Sequence, residues 1–385
     1  TMQSLTSSTF GTAASHGKAA PAARGDPALP CRAPYATSML RVLAFPFLGL
    51  VPMLPAQTSL QALQQQFRAE ARALAEKQPT HEQRDALRTR QLARLRTFVA
   101  GDATGDDRWN GLLMLADWQV ASDQAAAADV LRSIDAKQAP AMVLVSAATM
   151  AQHLGLQQLR DGWVEAALTK KAPLVDRLAM GRLLMSVLRE VPRGEKLFAD
   201  ALAEAADDEA RSFVRWCKAD AMREREDLPD NAGFEELERL AKDLPATYWG
   251  SVAKDRLRAT MLAVGDAAID FRASLRDGKP FALADQRGKC VVLAFWQAAD
   301  HDTPTLVSVL QDLVRRHGEA VVPLGIALDR DAATTAEAIQ KLGITFPVVG
   351  DGKGPENDVA LRWFVEGPVV HVIDAAGKVA ALGLH

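Results

Sequence analysis

The hydrophobic positions along this chain change their rhythm near residue 263. From about residue 58 to 262 they recur at helical spacing, and no strand-like alternation breaks the series. SLQALQQQFRAEARALAEKQ, at 59–78, is dense in strong helix formers. In RDALRTRQLARLRTFVAG, Leu87, Leu92, Leu95, Phe98 and Val99 fall near one stripe, and Gly101 supplies a stop. Further amphipathic segments are predicted at about 109–120, 123–134, 142–154, 157–168, 174–189, 194–205, 208–225, 233–243 and 247–262. Turn signals separate them, among them Lys171-Ala-Pro173, Val191-Pro-Arg-Gly194 and Leu244-Pro245. Short helices at this spacing suggest pairs stacked in the manner of tetratricopeptide arrays, although no 34-residue consensus is legible, and a non-repeating helical domain fits as well. Trp109, Trp118, Trp163, Trp216 and Trp249 read as helix-packing residues.

After residue 263 the pattern becomes one of strands alternating with helices. CVVLAFW at 290–296 and VVPLGIALD at 321–329 are continuous apolar runs, as strands buried on both faces require. TPTLVSVLQDLVRRHG at 303–318 and ATTAEAIQKLG at 333–343 read as helices, the second closed by Gly343. Pro368-Val-Val-His-Val-Ile-Asp374, a turn at Ala375-Ala-Gly-Lys378, and VAALGL at 379–384 read as a hairpin. The fold class predicted is α + α/β: a leader over 1–57, an all-helical scaffold over 58–262, and a thioredoxin-like domain over 263–385.

The leader has its own signature. Residues 1–38 are rich in Ala, Ser, Gly and Pro without periodicity, the composition of a disordered segment. Then Met39-Leu-Arg41 precedes VLAFPFLGLVPML, a 13-residue apolar run, and Pro-Ala-Gln. A basic start, a short apolar core and a small residue predict a signal peptide beginning at Met39, and hence a periplasmic or extracellular protein. Leu54 is not the ideal small residue for cleavage, which leaves an uncleaved anchor as the other reading.

Composition excludes little but does exclude something. The 385 residues are 48% hydrophobic and 24% charged, with a net charge of −3. Nothing in that balance attracts nucleic acid or an anionic membrane, and the apolar run at 42–54 is too short to span one. The three cysteines, Cys31, Cys217 and Cys290, form no C-x-x-C pair. A Cys217–Cys290 disulfide is conceivable; isolated buried thiols are the plainer expectation. No metal framework or cofactor motif stands out.

Motifs in the last third carry a resemblance. VGDAAIDF, LRDGKPFALADQRGKCVVLAFW, GITFPVVGD and PVVHVIDAAGKV, in this order, resemble the redoxin branch of the thioredoxin superfamily. That branch includes the alkyl hydroperoxide reductase/thiol-specific antioxidant group. The resemblance implies that Pro368 stands where the family has its cis-proline. It also implies that FWQAADHDT places Asp300 and Thr303 on the two active-site thiols. A carboxylate and a hydroxyl cannot perform thiol–disulfide exchange, which needs a thiolate and a resolving thiol. The loop also lacks a peroxidatic cysteine. Thr303 is expected to cap the following helix with Pro304 at its first position.

Asp300-His301-Asp302 is weighed as a metal or acid/base cluster, with His371 as a conceivable partner, and set aside because three consecutive side chains seldom converge. Cys290 is the remaining thiol, placed at the far end of its strand. The function expected is therefore an exported binding or assembly module whose thiol activity is lost, with another protein as its partner. The alternative is an oxidoreductase or peroxiredoxin-like enzyme using a non-standard thiol. No helix follows the hairpin in this sequence, so one sheet face is expected to need cover from the 247–262 segment through Trp249, Val252, Leu257 and Leu262.

Overall fold

A computed structural model describes residues 59–384 except 76, 226 and 230, and these described residues belong to one compact unit. The leader, Met39 and Cys31 lie outside them. Eleven helices come first among the described residues: α1 Leu60–Ala75, α2 His81–Thr97, α3 Gly105–Val120, α4 Gln124–Arg132, α5 Ala141–His153, α6 Gln157–Leu168, α7 Leu174–Ser186, α8 Val191–Glu204, α9 Asp208–Arg223, α10 Ala232–Asp243 and α11 Tyr248–Thr260. None of these helices is long and apolar enough to cross a membrane.

The starts follow local chemistry. Thr80 and Gln83 form a capping box on α2, each side chain accepting the other's backbone N–H. Asp123, Asp207 and Thr247 cap α4, α9 and α11 with side-chain oxygens. The end of α2 differs from the expected stop at Gly101: the chain passes through a π-helical turn, Phe98–Asp102, which turns Phe98 into the core beside Leu95 and Leu115. Leu92 and Val99, assigned to the same stripe, are only partly buried against that cluster.

The helices pair in sequence, α3 with α4, α5 with α6, α7 with α8 and α9 with α10. The first member of each pair packs on the first of the next. Their cores pass along the chain: Leu60, Phe67, Leu95 and Phe98 near the start, Leu178, Met185, Phe198 and Val214 in the middle, Trp216, Leu237, Leu240 and Val252 at the end. Gly194 is required where α8 crosses α7, because a Cβ there would lie 2.7 Å from the Gly181 carbonyl oxygen.

The last third is built on a five-stranded sheet. β1 (Arg272–Ser274) and β2 (Pro280–Ala282) make a small antiparallel ribbon. The main sheet runs β5-β4-β3-β6-β7, from β3 Cys290–Trp296, β4 Val321–Ala327, β5 Val348–Val349, β6 Val369–Ile373 and β7 Val379–Leu384. β3 is parallel to β4 and antiparallel to β6, with Leu293 opposite both Leu324 and His371. α12 (Thr303–His317) follows β3, α13 (Ala332–Leu342) follows β4, and α14 (Asp358–Trp363) leads toward β6. This is a thioredoxin-like arrangement.

The continuous apolar run of β3 has a plain cause: the strand is covered on both faces. Val292, Ala294 and Trp296 pack with Val307 and Leu310 of α12 and with Phe346. Val291, Leu293 and Phe295 pack with Ile269, Phe271, Val359 and Trp363. At about 25 cal/mol per Å2 of apolar surface, each such large side chain stabilises the fold by roughly 1.5–3 kcal/mol.

The second face is therefore covered mainly by α14 and the segment opening this region, and the 247–262 segment contributes Ala259 and Leu262 at its edge. Of the four α11-region residues singled out, Trp249, Val252 and Leu257 pack among the helices, together with Leu361 of α14. Only Leu262 joins the sheet cluster. The physical reason is α14, which lies between: its Trp363 faces the sheet while Leu361 faces α9–α11.

Candidate functional site

The loop after β3 is the place to look. In parallel-sheet proteins, function gathers at the carboxyl ends of the strands. Residues 297–302 leave β3 there, beside Pro368, which directly precedes β6 and is half-buried.

Thr303 is almost fully buried, and its Oγ1 donates to the Gln297 carbonyl at 2.8 Å, closing the loop on itself. It is not the N-cap of α12. That position falls to Asp302, whose backbone is already helical (φ −85°, ψ −13°) and whose side chain makes no capping bond. Thr303 becomes the first helical residue and Pro304 the second, because the threonine hydroxyl is turned back to Gln297.

Asp300 precedes the helix. Its Oδ1 accepts the Asp302 N–H at 2.9 Å, an Asx-type turn. His301 is exposed, with Nδ1 3.6 Å from Asp300 and Nε2 3.2 Å from Asp302. Ligand atoms of these three residues come within 4.8 Å of one another, so consecutive side chains do converge here, contrary to the sequence expectation. They converge around the imidazole, one carboxylate facing each ring nitrogen. They could hold a cation, and exposed acidic groups of this kind are common without one. His371 does not join them. It pairs opposite Leu293, stacks on Trp363 at 5.5 Å, and accepts the Gly383 N–H through Nδ1.

Sequence reasoning missed the loop's anchor. Asp329, just past the end of β4, accepts the Ala298 N–H at 3.0 Å and the Thr335 hydroxyl at 3.0 Å. Burial pushes its carboxyl above the usual range, while those two bonds pull it back. The only signal was an Asp ending an apolar strand. Gln297 adds a longer bond to the Leu328 carbonyl.

The thiols lie elsewhere. Cys290 opens β3, six residues from Trp296 and thus about 20 Å from the loop at about 3.3 Å per residue. Burial and then Asp374 raise its pKa. Cys217 sits among α9 neighbours, and burial pushes its thiol up to about 12. Both are free, so the conceivable disulfide between them is not formed.

Comparison with known proteins agrees with the fold and complicates the chemistry. Residues 264–382 match the AhpC/TSA family. Thiol-disulfide oxidoreductase ResA of Geobacillus thermodenitrificans (strain NG80-2) is 29% identical over 126 residues, 31% of this chain and 68% of that protein. Among solved structures, the thioredoxin domain of a thiol-disulfide oxidoreductase from Bacteroides vulgatus is 24% identical, covering 32% of this chain and 90% of that one with a TM-score of 0.30. A thiol-disulfide oxidoreductase from Bacteroides fragilis NCTC 9343 is 22% identical, covering 31% and 91%, with a TM-score of 0.29. The family match lies in the last third of the chain, which has a thioredoxin-like fold and resembles thiol-disulfide oxidoreductases.

Proposed function

We propose that this is an exported protein whose thioredoxin-like domain, residues 263–385, has given up thiol–disulfide chemistry and serves, with the helical scaffold of 58–262, as a binding or assembly module for another protein. The observation that carries the reading is the loop after β3. Where exchange chemistry needs a thiolate at a helix N-terminus and a second thiol beside it, this loop offers the carboxylate of Asp300 and the buried, hydrogen-bonded hydroxyl of Thr303. Burial raises the thiol pKa of both described cysteines, and Cys290 opens β3 at the opposite end from the loop. Export rests on the basic, apolar and small-residue pattern at 39–57.

The rival, an oxidoreductase using a non-standard thiol, rests on the names of the relatives and on Cys290. The deciding assay is insulin reduction by dithiothreitol, with peroxide consumption in parallel. We expect no rate above the uncatalysed one. Turnover that disappears in Cys290→Ser would replace this reading with the enzymatic one.

A further inference from the structure

An open groove lies between α1, α2 and the end of α3, with a volume of about 760 Å3. That is within the range of small-ligand and side-chain pockets. Its apolar wall is formed by Leu74, Pro79, Leu87 and Trp118. Trp118 is fixed against Phe67, ring centroids 5.5 Å apart. Arg84 and Arg88 stand at its rim, four residues apart on α2 and therefore neighbours on one helix face.

Among the described residues, the charged side chains that line the groove are Arg84 and Arg88. No acidic residue lines it among the described residues. α2 carries five arginines, at 84, 88, 90, 94 and 96, against Glu82 and Asp85. Glu70 engages Arg94, and His81 pairs with Asp85. Arg84 donates to the Pro79 carbonyl at 2.9 Å and Arg88 to the Trp118 carbonyl at 2.8 Å, so both guanidiniums are steered by backbone and keep further N–H donors. Asp117 lies within electrostatic reach of Arg88 and offsets part of one charge.

We propose that this groove receives an acidic amphipathic helix of a partner protein, its apolar face against Leu87 and Trp118 and two carboxylates one turn apart on Arg84 and Arg88. A helix laid in a groove is read through anchors at i and i+4, which is the spacing of the two arginines. Arginine suits the role because its planar fork grips a carboxylate through two parallel bonds. The proposal deepens the binding-module reading and rests on it.

The test is fluorescence anisotropy with the full chain and a labelled helix-forming peptide of about four turns, made of Leu, Phe and Ala with Glu at i and i+4. A Lys-for-Glu counterpart serves as control. We expect the Glu peptide to bind and the Lys peptide not to. Arg84→Glu and Arg88→Glu should each weaken binding by about tenfold or more, as loss of a charged hydrogen bond does. Arg84→Lys and Arg88→Lys, which keep the charge, should weaken it less. Both sites are exposed, and circular dichroism of each variant reports its fold. Absence of Glu-peptide binding, equal binding of the Lys peptide, or indifference to the arginine exchanges overturns the proposal. Cosedimentation with phosphatidylcholine/phosphatidylglycerol vesicles that depends on Arg84 and Arg88, without peptide binding, also overturns it and gives the groove to lipid. Insulin turnover by the same sample would sink the non-catalytic reading while leaving the peptide result standing.

Discussion

Two of the contacts between the helices and the thioredoxin-like region are built from the same residue types to opposite effect. At one, Arg68 and Arg72 of α1 reach Asp331, Thr334 and Glu337 at the start of α13. All the charged side chains there are about 40–60% exposed. At the other, Arg256 of α11 is 5% exposed and lies between the rings of Trp216 and Phe364. Asp220 faces it at 3.7 Å, Glu366 at 3.6 Å, and Arg223 covers Phe364 from another side. Nearby, Arg362 of α14 donates to Asp255 at 2.6 Å and to Ser251 at 2.9 Å, and Tyr248 donates to Asp358 at 2.7 Å.

Burial decides what these charges are worth. Exposed pairs contribute about 0–1 kcal/mol each. Breaking a buried pair costs about 3–5 kcal/mol, because the remaining charge is stranded. Burial and the repulsion of Arg223 bring the Arg256 pKa down to about 10. Burial alone would raise Asp220, yet Arg256, Arg182 and Arg223 together hold it below the usual carboxylate range. Asp220 and Arg256 both belong to the helical region; what crosses to the last third is Arg256 and Arg223 against Phe364 and Glu366, with Arg362 and Tyr248 bridging α11 and α14, and the α1 contact is the more exposed of the two.

The largest effect should come from removing one partner of the buried set. Asp220→Ala removes the counter-ion shared by Arg182, Arg223 and Arg256 and leaves the buried Arg256 with Glu366 alone; because the Asp220 side chain is 29% exposed, the loss should be about 1–3 kcal/mol in urea denaturation. A loss under about 1 kcal/mol, that of an exposed pair, would show that the buried Arg256 does not depend on Asp220. The sign with pH follows from the depressed pKa. Asp220's contribution is fully present above its unfolded value, near 4, and is lost as pH falls through its lower folded value. Wild type should therefore lose stability in that acid window more steeply than Asp220→Asn.

A smaller effect separates packing from backbone strain at Phe364. This residue ends α14 in the left-handed region (φ 53°), where a non-glycine residue is held at a cost of about 1–2 kcal/mol. Its ring meets Phe234 edge-on at 5.8 Å. Phe364→Ala should lose the ring contacts and keep the strain. Phe364→Gly should lose the contacts and relieve the strain, and so be the more stable of the two by about 1 kcal/mol. Equal midpoints would mean that the αL conformation costs nothing here.

The smallest effect is expected at α1. Arg68→Ala and Arg72→Ala should each change stability by about 0.5 kcal/mol or less, and that difference should fade in 1 M salt, where the Debye length is about 3 Å. Larger, salt-resistant losses would show that the exposed contact carries more than its exposure allows.

What the sequence made legible was whatever is periodic. The helix series, the doubly buried β3 and β4, and the closure of α13 at Gly343 all follow from local spacing and a single glycine. Gly343 adopts φ 61°, as a left-handed helix end needs. What remained hidden depends on residues far apart in the chain. Arg256 with Phe364, Asp329 with Ala298, and Leu361 with the α10–α11 core are meetings that no period encodes. The misplaced cap at Thr303 is of the same kind: threonine is a good N-cap in isolation, but here its hydroxyl serves Gln297. At the loop, the residue identities at 300 and 303 were readable, and their convergence around His301 was not.

The proposed function holds that the thioredoxin-like frame is kept while Asp300 and Thr303 stand in place of its reactive thiols. The most direct measurement is insulin reduction by the double variant Asp300→Cys/Thr303→Cys beside wild type. Residue 303 sits at the helix start, where the free N–H groups and the macrodipole lower a thiol's pKa, whereas residue 300 lies ahead of the first turn. The account predicts partial activity in the double variant and none in wild type. A double variant that folds, binds thiol reagent at both positions and still reduces nothing would contradict it, because the loop would then lack the geometry that its surroundings imply.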